Sequence, residues 1–344
     1  PLHDTPRCGA ITGCSPLSSL IMGASASIPE AASSDELLRG QDAKTTQAII
    51  AALGEDASFQ ALGKFEAEAI VARDREDAEK LQTGIQVSID AGVLPPLETP
   101  PEYVEIDVVG KTPDQVCDVI VEHVGDAAQS GCVIVLCGLS GTGKGTTVSN
   151  LKARLPATVT WSNGNIFRAL TLLAVKWCEQ NGLEAFDADQ ALTTENLASF
   201  MTMLKFDKYE GGWDTRIDGL GVTALISEVQ NTVLKGPSVS QHIPTVAQQT
   251  QGHVVNFAAE ATRRMGADGL NVLLEGREAT VNYVPTPFRY TLCMSDTTLL
   301  GQRRAAQRLA AKALEKIGAE PATNDAVAQA VQQALSDFAS EIQQ

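Results

Sequence analysis

A lysine set among glycines is the most chemically informative feature of the chain. Gly138-Leu139-Ser140-Gly141-Thr142-Gly143-Lys144-Gly145-Thr146-Thr147 follows the apolar run Cys132-Val133-Ile134-Val135-Leu136-Cys137 and precedes a helix-forming stretch to about Arg154. Strand, glycine-rich turn and helix in that order form a phosphate cradle. Glycines let backbone N–H groups converge on anionic oxygens at a helix N-terminus, where the helix dipole also favours negative charge. Lys144 adds a point charge for β- and γ-phosphates, and the Thr146 hydroxyl is a candidate to position Mg²⁺. The expected ligand is ATP, held by Gly138, Ser140, Gly141, Thr142, Gly143, Lys144, Gly145, Thr146 and Thr147. The competing reading is a glycine-rich turn that binds nothing.

Other residues suit the same chemistry. Glu275 ends the apolar stretch Val272-Leu273-Leu274, where an acid can hold Mg²⁺ directly or through water. Arg168 and Arg277 carry planar donor forks that match a phosphate bidentately. Phosphoryl transfer is mostly positioning and charge neutralisation, so cations on both substrates matter more than a dedicated base. The competing reading of Arg168 is a surface cation on an amphipathic helix, and that of Glu275-Gly276-Arg277-Glu278 a strand-end turn with exposed charges. His242 and His253 read as solvated, and no cysteine spacing indicates a structural metal site.

Order and spacing join these pieces into a resemblance. The Gly-Lys-Gly-Thr form of the loop resembles nucleoside monophosphate kinases. Asn163-Gly164-Asn165-Ile166-Phe167-Arg168 is similar to the acceptor-nucleotide segment of cytidylate kinases. Glu275-Gly276-Arg277-Glu278 with Pro285 resembles their Asp-Gly-Arg-Asp…Pro segment, and Arg303-Arg304 their paired arginines. The stretch from Lys205 to Gly221 is similar to the small hairpin insert of the bacterial enzymes, followed by Glu228-Val229 and Ser240. The resemblance covers residues 132 to about 308. It implies an α/β fold, a P-loop kinase-like parallel sheet flanked by helices, with an acceptor insert at about 183–256. It implies catalytic cations at Lys144, Arg277, Arg303 and Arg304, acceptor contacts at Asn163, Arg168, Ser240, Arg277 and Glu278, and Mg²⁺ at Thr146 and Glu275. The chain differs from the pattern in its two glutamates, in Asn163 for serine, and in Leu225-Ile226 where the family carries an arginine. Pro244-Thr245-Val246-Ala247 lacks two further arginines, and no Lys or Arg follows Lys316, where a cationic lid is expected.

The elements that must position these residues are readable around them. Residues 1–34 form a tail rich in small residues, and 35–101 an acidic helical extension ending in Pro95, Pro96, Pro100 and Pro101. Ser33 and Glu36 read as a capping box. A short helix is expected over 43–53, stopped by Gly54, and helical spacing runs through 56–73 and on through 75–90. The mixed charges from Arg73 to Lys80 read as a solvated face. Val104, Ile106 and Val108 alternate as a strand, Thr112-Pro113 caps a helix to about Val124, and 324–344 reads as one amphipathic helix. Residues 102–344 would form the kinase-like domain, and the N-terminal helices a separate region.

Most of the formal charge of −16 falls before residue 132. That distribution argues against nucleic acid as a partner and favours a protein partner for the extension. No apolar run spans a membrane. Seven scattered cysteines predict a reducing interior, cytosol or an organelle such as a plastid or mitochondrion, with Cys132 and Cys137 as small core residues. Two functions remain open: phosphoryl transfer from ATP to a nucleoside monophosphate of the CMP or dCMP kind, or a degenerate kinase fold serving as a nucleotide-binding or structural subunit. A kinase of a small non-nucleotide alcohol is a weaker third.

Overall fold

The structure, a computed structural model, describes residues 34–342. The N-terminal tail and Ser33 lie outside them. Helix α1 (Asp35–Gly40) begins at Ser34, whose hydroxyl accepts the Leu37 amide. Helix α2 (Ala43–Leu53) starts in a capping box of Asp42 and Thr45 and ends at Gly54. Helix α3 (Ala57–Asp90) runs unbroken through both expected helical stretches. The proline-containing segment after it has neither helix nor strand.

Strand β1 (Val104–Asp107) leads through α4 (Pro113–Val124), capped by Thr112, and α5 (Ala127–Ser130) to β2 (Val133–Gly138). Helix α6 (Lys144–Arg154), β3 (Thr158–Trp161) and α7 (Asn163–Gln180) follow. An insert carries α8 (Ala188–Ala191), α9 (Thr194–Thr202), an antiparallel sheet of β4 (Leu204–Tyr209), β5 (Gly212–Gly219) and β6 (Val222–Leu225), then α10 (Ile226–Val229) and α11 (Pro237–Ser240). Helix α12 (Ile243–Ala267) returns the chain to β7 (Asn271–Glu275), α13 (Glu278–Val281) and β8 (Phe288–Cys293). Helices α14 (Thr297–Ile317) and α15 (Asn324–Ile342) close the described chain.

The main sheet has the order β1-β8-β2-β7-β3 with every pair parallel. A continuous apolar strand suits burial on both faces, and β2 takes the central position. Val133, Val135 and Cys137 face a core shared with α7 and α12, while Ile134 and Leu136 face one shared with α4 and α6. Each such fully buried aliphatic side chain contributes roughly 1.5–3 kcal/mol. The chain leaves β2 for the β3 edge and crosses back from β7 to β8. The end of β2 is therefore a topological switch point, the place where open α/β sheets bind ligands.

The expectation of a separate N-terminal region does not hold. Leu38, Ile49, Leu53, Phe59 and Leu62 share one core with Ala305, Ala306 and Leu309 of α14 and Val327, Val331 and Leu335 of α15. The cause is steric as well as hydrophobic. A β-carbon on Gly301 would overlap the Gly63 carbonyl, so α3 and α14 meet backbone to backbone. Among the described residues, no helix is long and apolar enough to cross a membrane.

Candidate functional site

The glycine-rich loop starts where β2 ends and finishes where α6 begins. Gly141 and Gly143 adopt φ of 87° and 91°, the left-handed region that glycine enters without strain. Gly143 caps α6 with no side chain across its first amides, leaving those donors facing outward. The backbone therefore has the turn that the sequence motif requires.

The Lys144 ammonium does not reach outward. Its Nζ donates to the Gly138 carbonyl at 2.7 Å and to that of Leu139 at 2.8 Å, folding back over its own loop. Burial, followed by the like charge of Arg277, pushes its pKa down, while the charges of Asp74 and Glu275 act the other way.

An acid from the extension occupies the loop. Asp74, on α3, is 3% exposed. Its Oδ2 accepts the Ser140 backbone N–H at 2.6 Å, and its Oδ1 accepts the Ser140 hydroxyl at 2.8 Å. Arg277 Nη2 donates to the same Oδ1 at 2.6 Å, with Asp77 at 3.8 Å as a second counter-charge. Burial alone would push the Asp74 carboxyl up. The Arg277 guanidinium and the two Ser140 donors outweigh it and hold the carboxyl at about 2. This corrects the reading of Arg73–Lys80 as a solvated face: most of it is exposed, but its second residue is buried and bonded.

The remaining candidates spread over a wider area. Thr146 is exposed in the first turn of α6, and Glu275 is exposed at the end of β7. Glu278 is exposed in the first turn of α13, next to Arg277. The Asn163 side chain accepts from Trp161 Nε1 at 2.7 Å, and Arg168 Nη1 donates to Asn165 Oδ1 at 3.3 Å. The Ser240 hydroxyl is turned onto the Lys235 carbonyl at 3.1 Å, and Ser240 lines neither cavity beside Arg277. Arg303 is half-buried and Arg304 exposed on α14, and neither forms an ion pair among the described residues. Arg308, further along α14, is paired with buried Glu66 of α3 and stacked 4.6 Å from the Phe338 ring. Burial pushes the Cys132 and Cys137 thiols up to about 11, as suits unreactive core residues.

Two cavities flank α3 where it crosses the loop. One, of about 550 Å³, lies between α3 and α12 and is lined by Lys80, Thr83, Pro244, Gln248, Gln251 and Arg277. The other, of about 740 Å³, is lined by Asp74, Glu79, Leu139, Arg277, Glu278 and Met294 among others. Arg277 is common to both. The two cavities thus meet at Arg277 on either side of the extension helix, and the second reaches Gly138 and Leu139 of the loop.

Sequence reasoning missed Asp74 and Glu66, although a signal existed. Glu66, Ile70, Asp74 and Asp77 are spaced by four, four and three residues, a single stripe along a helix, and Ile70 marks that stripe as the buried one. No protein-family description matches the chain, and no characterised protein matches it either.

Proposed function

We propose that the chain is an ATP-dependent phosphotransferase of the cytidylate kinase-like P-loop class, acting on a nucleoside monophosphate. The observation that carries this reading is the meeting of Lys144, the Ser140 amide and Arg277 at the switch-point end of β2. The loop amides and Lys144 would neutralise the donor phosphates. Arg277 and Arg168 would hold the acceptor phosphate, with Asn163, Ser240 and Glu278 on the acceptor side. Arg303 and Arg304 would supply the remaining cationic charge. The Thr146 hydroxyl and Glu275 carboxylate are both exposed hard oxygen donors, a set that fits Mg²⁺. Bound there with ATP, Mg²⁺ would neutralise charge on the phosphate oxygens.

The test is turnover of CMP, dCMP, UMP and AMP with ATP, with Lys144→Met as control and ATP binding measured in the same samples. Activity is expected with at least one pyrimidine monophosphate, and Lys144→Met should lower it by roughly 10²-fold or more. A folded protein with no turnover on any of the four would overturn the kinase reading.

A second reading has its own support. Asp74 covers the loop, Glu66 engages Arg308, and no cation follows Lys316. These features favour a nucleotide-binding or structural subunit, its extension meeting a protein partner. ATP binding without turnover would select it.

A further inference from the structure

We propose that α3 is a strap across the phosphate site and that Asp74 is its latch, an internal anion that the terminal phosphates of a nucleotide must displace. The proposal rests on the nucleotide-binding reading above and adds regulation to that same site.

Three observations carry it. First, two of the site's donors are spent. The Ser140 N–H has one hydrogen to give and gives it to Asp74, and Arg277 points its Nη2 at the same carboxylate. A phosphate at the loop needs that amide and that cation, and the carboxylate's charge repels it. Latched and loaded states therefore exclude each other.

Second, α3 is anchored at both ends and not between them. Toward its start, Phe59, Leu62 and Gly63 are buried against α14. Toward its end, Ile85 is buried, and Ser88 Oγ accepts the Gly252 amide of α12 at 2.9 Å. From residue 71 to 83 the one buried residue is Asp74, and the two cavities lie on either side. An apolar contact there would be a permanent seat. A carboxylate on a loop amide and an arginine is a contact that another anion can replace in kind.

Third, the same helix stripe neutralises a second cation. Glu66 engages Arg308 two turns before Asp74 engages Arg277. The acids of this face thus match the cations of the domain beneath it, which fits a helix selected to lie there.

The experiment is ATP binding to the full chain, comparing wild type with Asp74→Asn and Asp74→Ala, and tripolyphosphate as a second probe. Both variants should bind ATP about 10-fold or more tightly than wild type, because the competent state no longer has to compete with its own anion. Equal ATP affinity in all three proteins overturns the latch and leaves the kinase reading intact. Tripolyphosphate binding that tightens in the variants, with no ATP binding by any form, keeps the latch and removes the nucleotide reading. No binding of either probe by any form overturns both. Should the variants fail to fold, hydrogen exchange of the wild type with saturating ATP decides. Protection across residues 71–83 should fall, and bound ATP with that protection unchanged overturns the latch.

Discussion

Asp74 and Arg277 stand 203 residues apart in the chain and share a 2.6 Å hydrogen bond beside the glycine-rich loop. The pair is asymmetric: the carboxylate side chain is 2% exposed and the guanidinium 25%. Removing the arginine strands a buried charge, whereas removing the acid leaves a cation with access to water. Arg277→Met is therefore expected to destabilise by roughly 3 kcal/mol and Asp74→Asn by about 1–2 kcal/mol. The double variant should cost less than the sum, with a coupling of about 1 kcal/mol or more in urea unfolding. Strictly additive costs would argue that the contact is energetically idle.

Acid should release the same pair. The Asp74 carboxyl sits at about 2 in the folded chain against an ordinary value of 3.8, so folding favours its ionised form. Its contribution is complete above the ordinary value and is lost as pH falls toward the folded one. The stake is on the order of 2 kcal/mol. The stability gap between wild type and Asp74→Asn should hold steady from about pH 7 to pH 5 and close below about pH 4. A gap that does not change with acid would remove Asp74 ionisation as its source.

Glu66 and Arg308 form the second cross-chain pair, and here the buried partner is again the acid, at 5% exposure. Arg308→Ala is expected to cost roughly 3 kcal/mol, through the stranded carboxylate and the lost stack on Phe338. Glu66→Gln, which keeps a hydrogen-bonding group and removes the charge, should cost about 1 kcal/mol. Thermal unfolding of the two variants tests the order, and a larger loss from Glu66→Gln would contradict it.

Gly301 of α14 lies directly against the Gly63 backbone of α3. A β-carbon at 301 meets backbone, not the mobile end of a side chain, so the helices must separate to accept it. Gly301→Ala should destabilise by about 2 kcal/mol or more despite alanine's better helix propensity. Exchange protection should drop in α3 before it drops in β2. Unchanged unfolding would mean that the two helices are not seated as described.

The parts legible in the sequence were those written locally. A strand, four glycines and a lysine identify the turn at 138–147 because all its geometry comes from adjacent residues. Thr112-Pro113 and Gly54 likewise state where helices begin and end. The occupant of the loop was not legible in that way. Asp74 lies in a run of alternating charge, and nothing within the run says which acid meets water. Its partners Ser140 and Arg277 are 66 and 203 residues distant. The fate of Arg308 was hidden for the same reason, since its acid is 242 residues earlier. The acidity of the extension was legible as a quantity, but which of its acids face the chain's own cations was not. At Glu66 and Asp74 it is spent on the chain's own arginines.

The unbroken length of α3 has a consequence in time. Its 34 residues span about 50 Å as one rigid element, and Asp74 sits near the middle. A side-chain torsion turns over in picoseconds to nanoseconds, but turning the Asp74 carboxylate aside leaves its helix lying across the loop. Uncovering the loop is then a movement of the helix, and collective motions of that kind run in microseconds to milliseconds. On the latch proposed above, the rate at which a phosphate enters would be timed by a helix lifting from its seat rather than by diffusion to the loop.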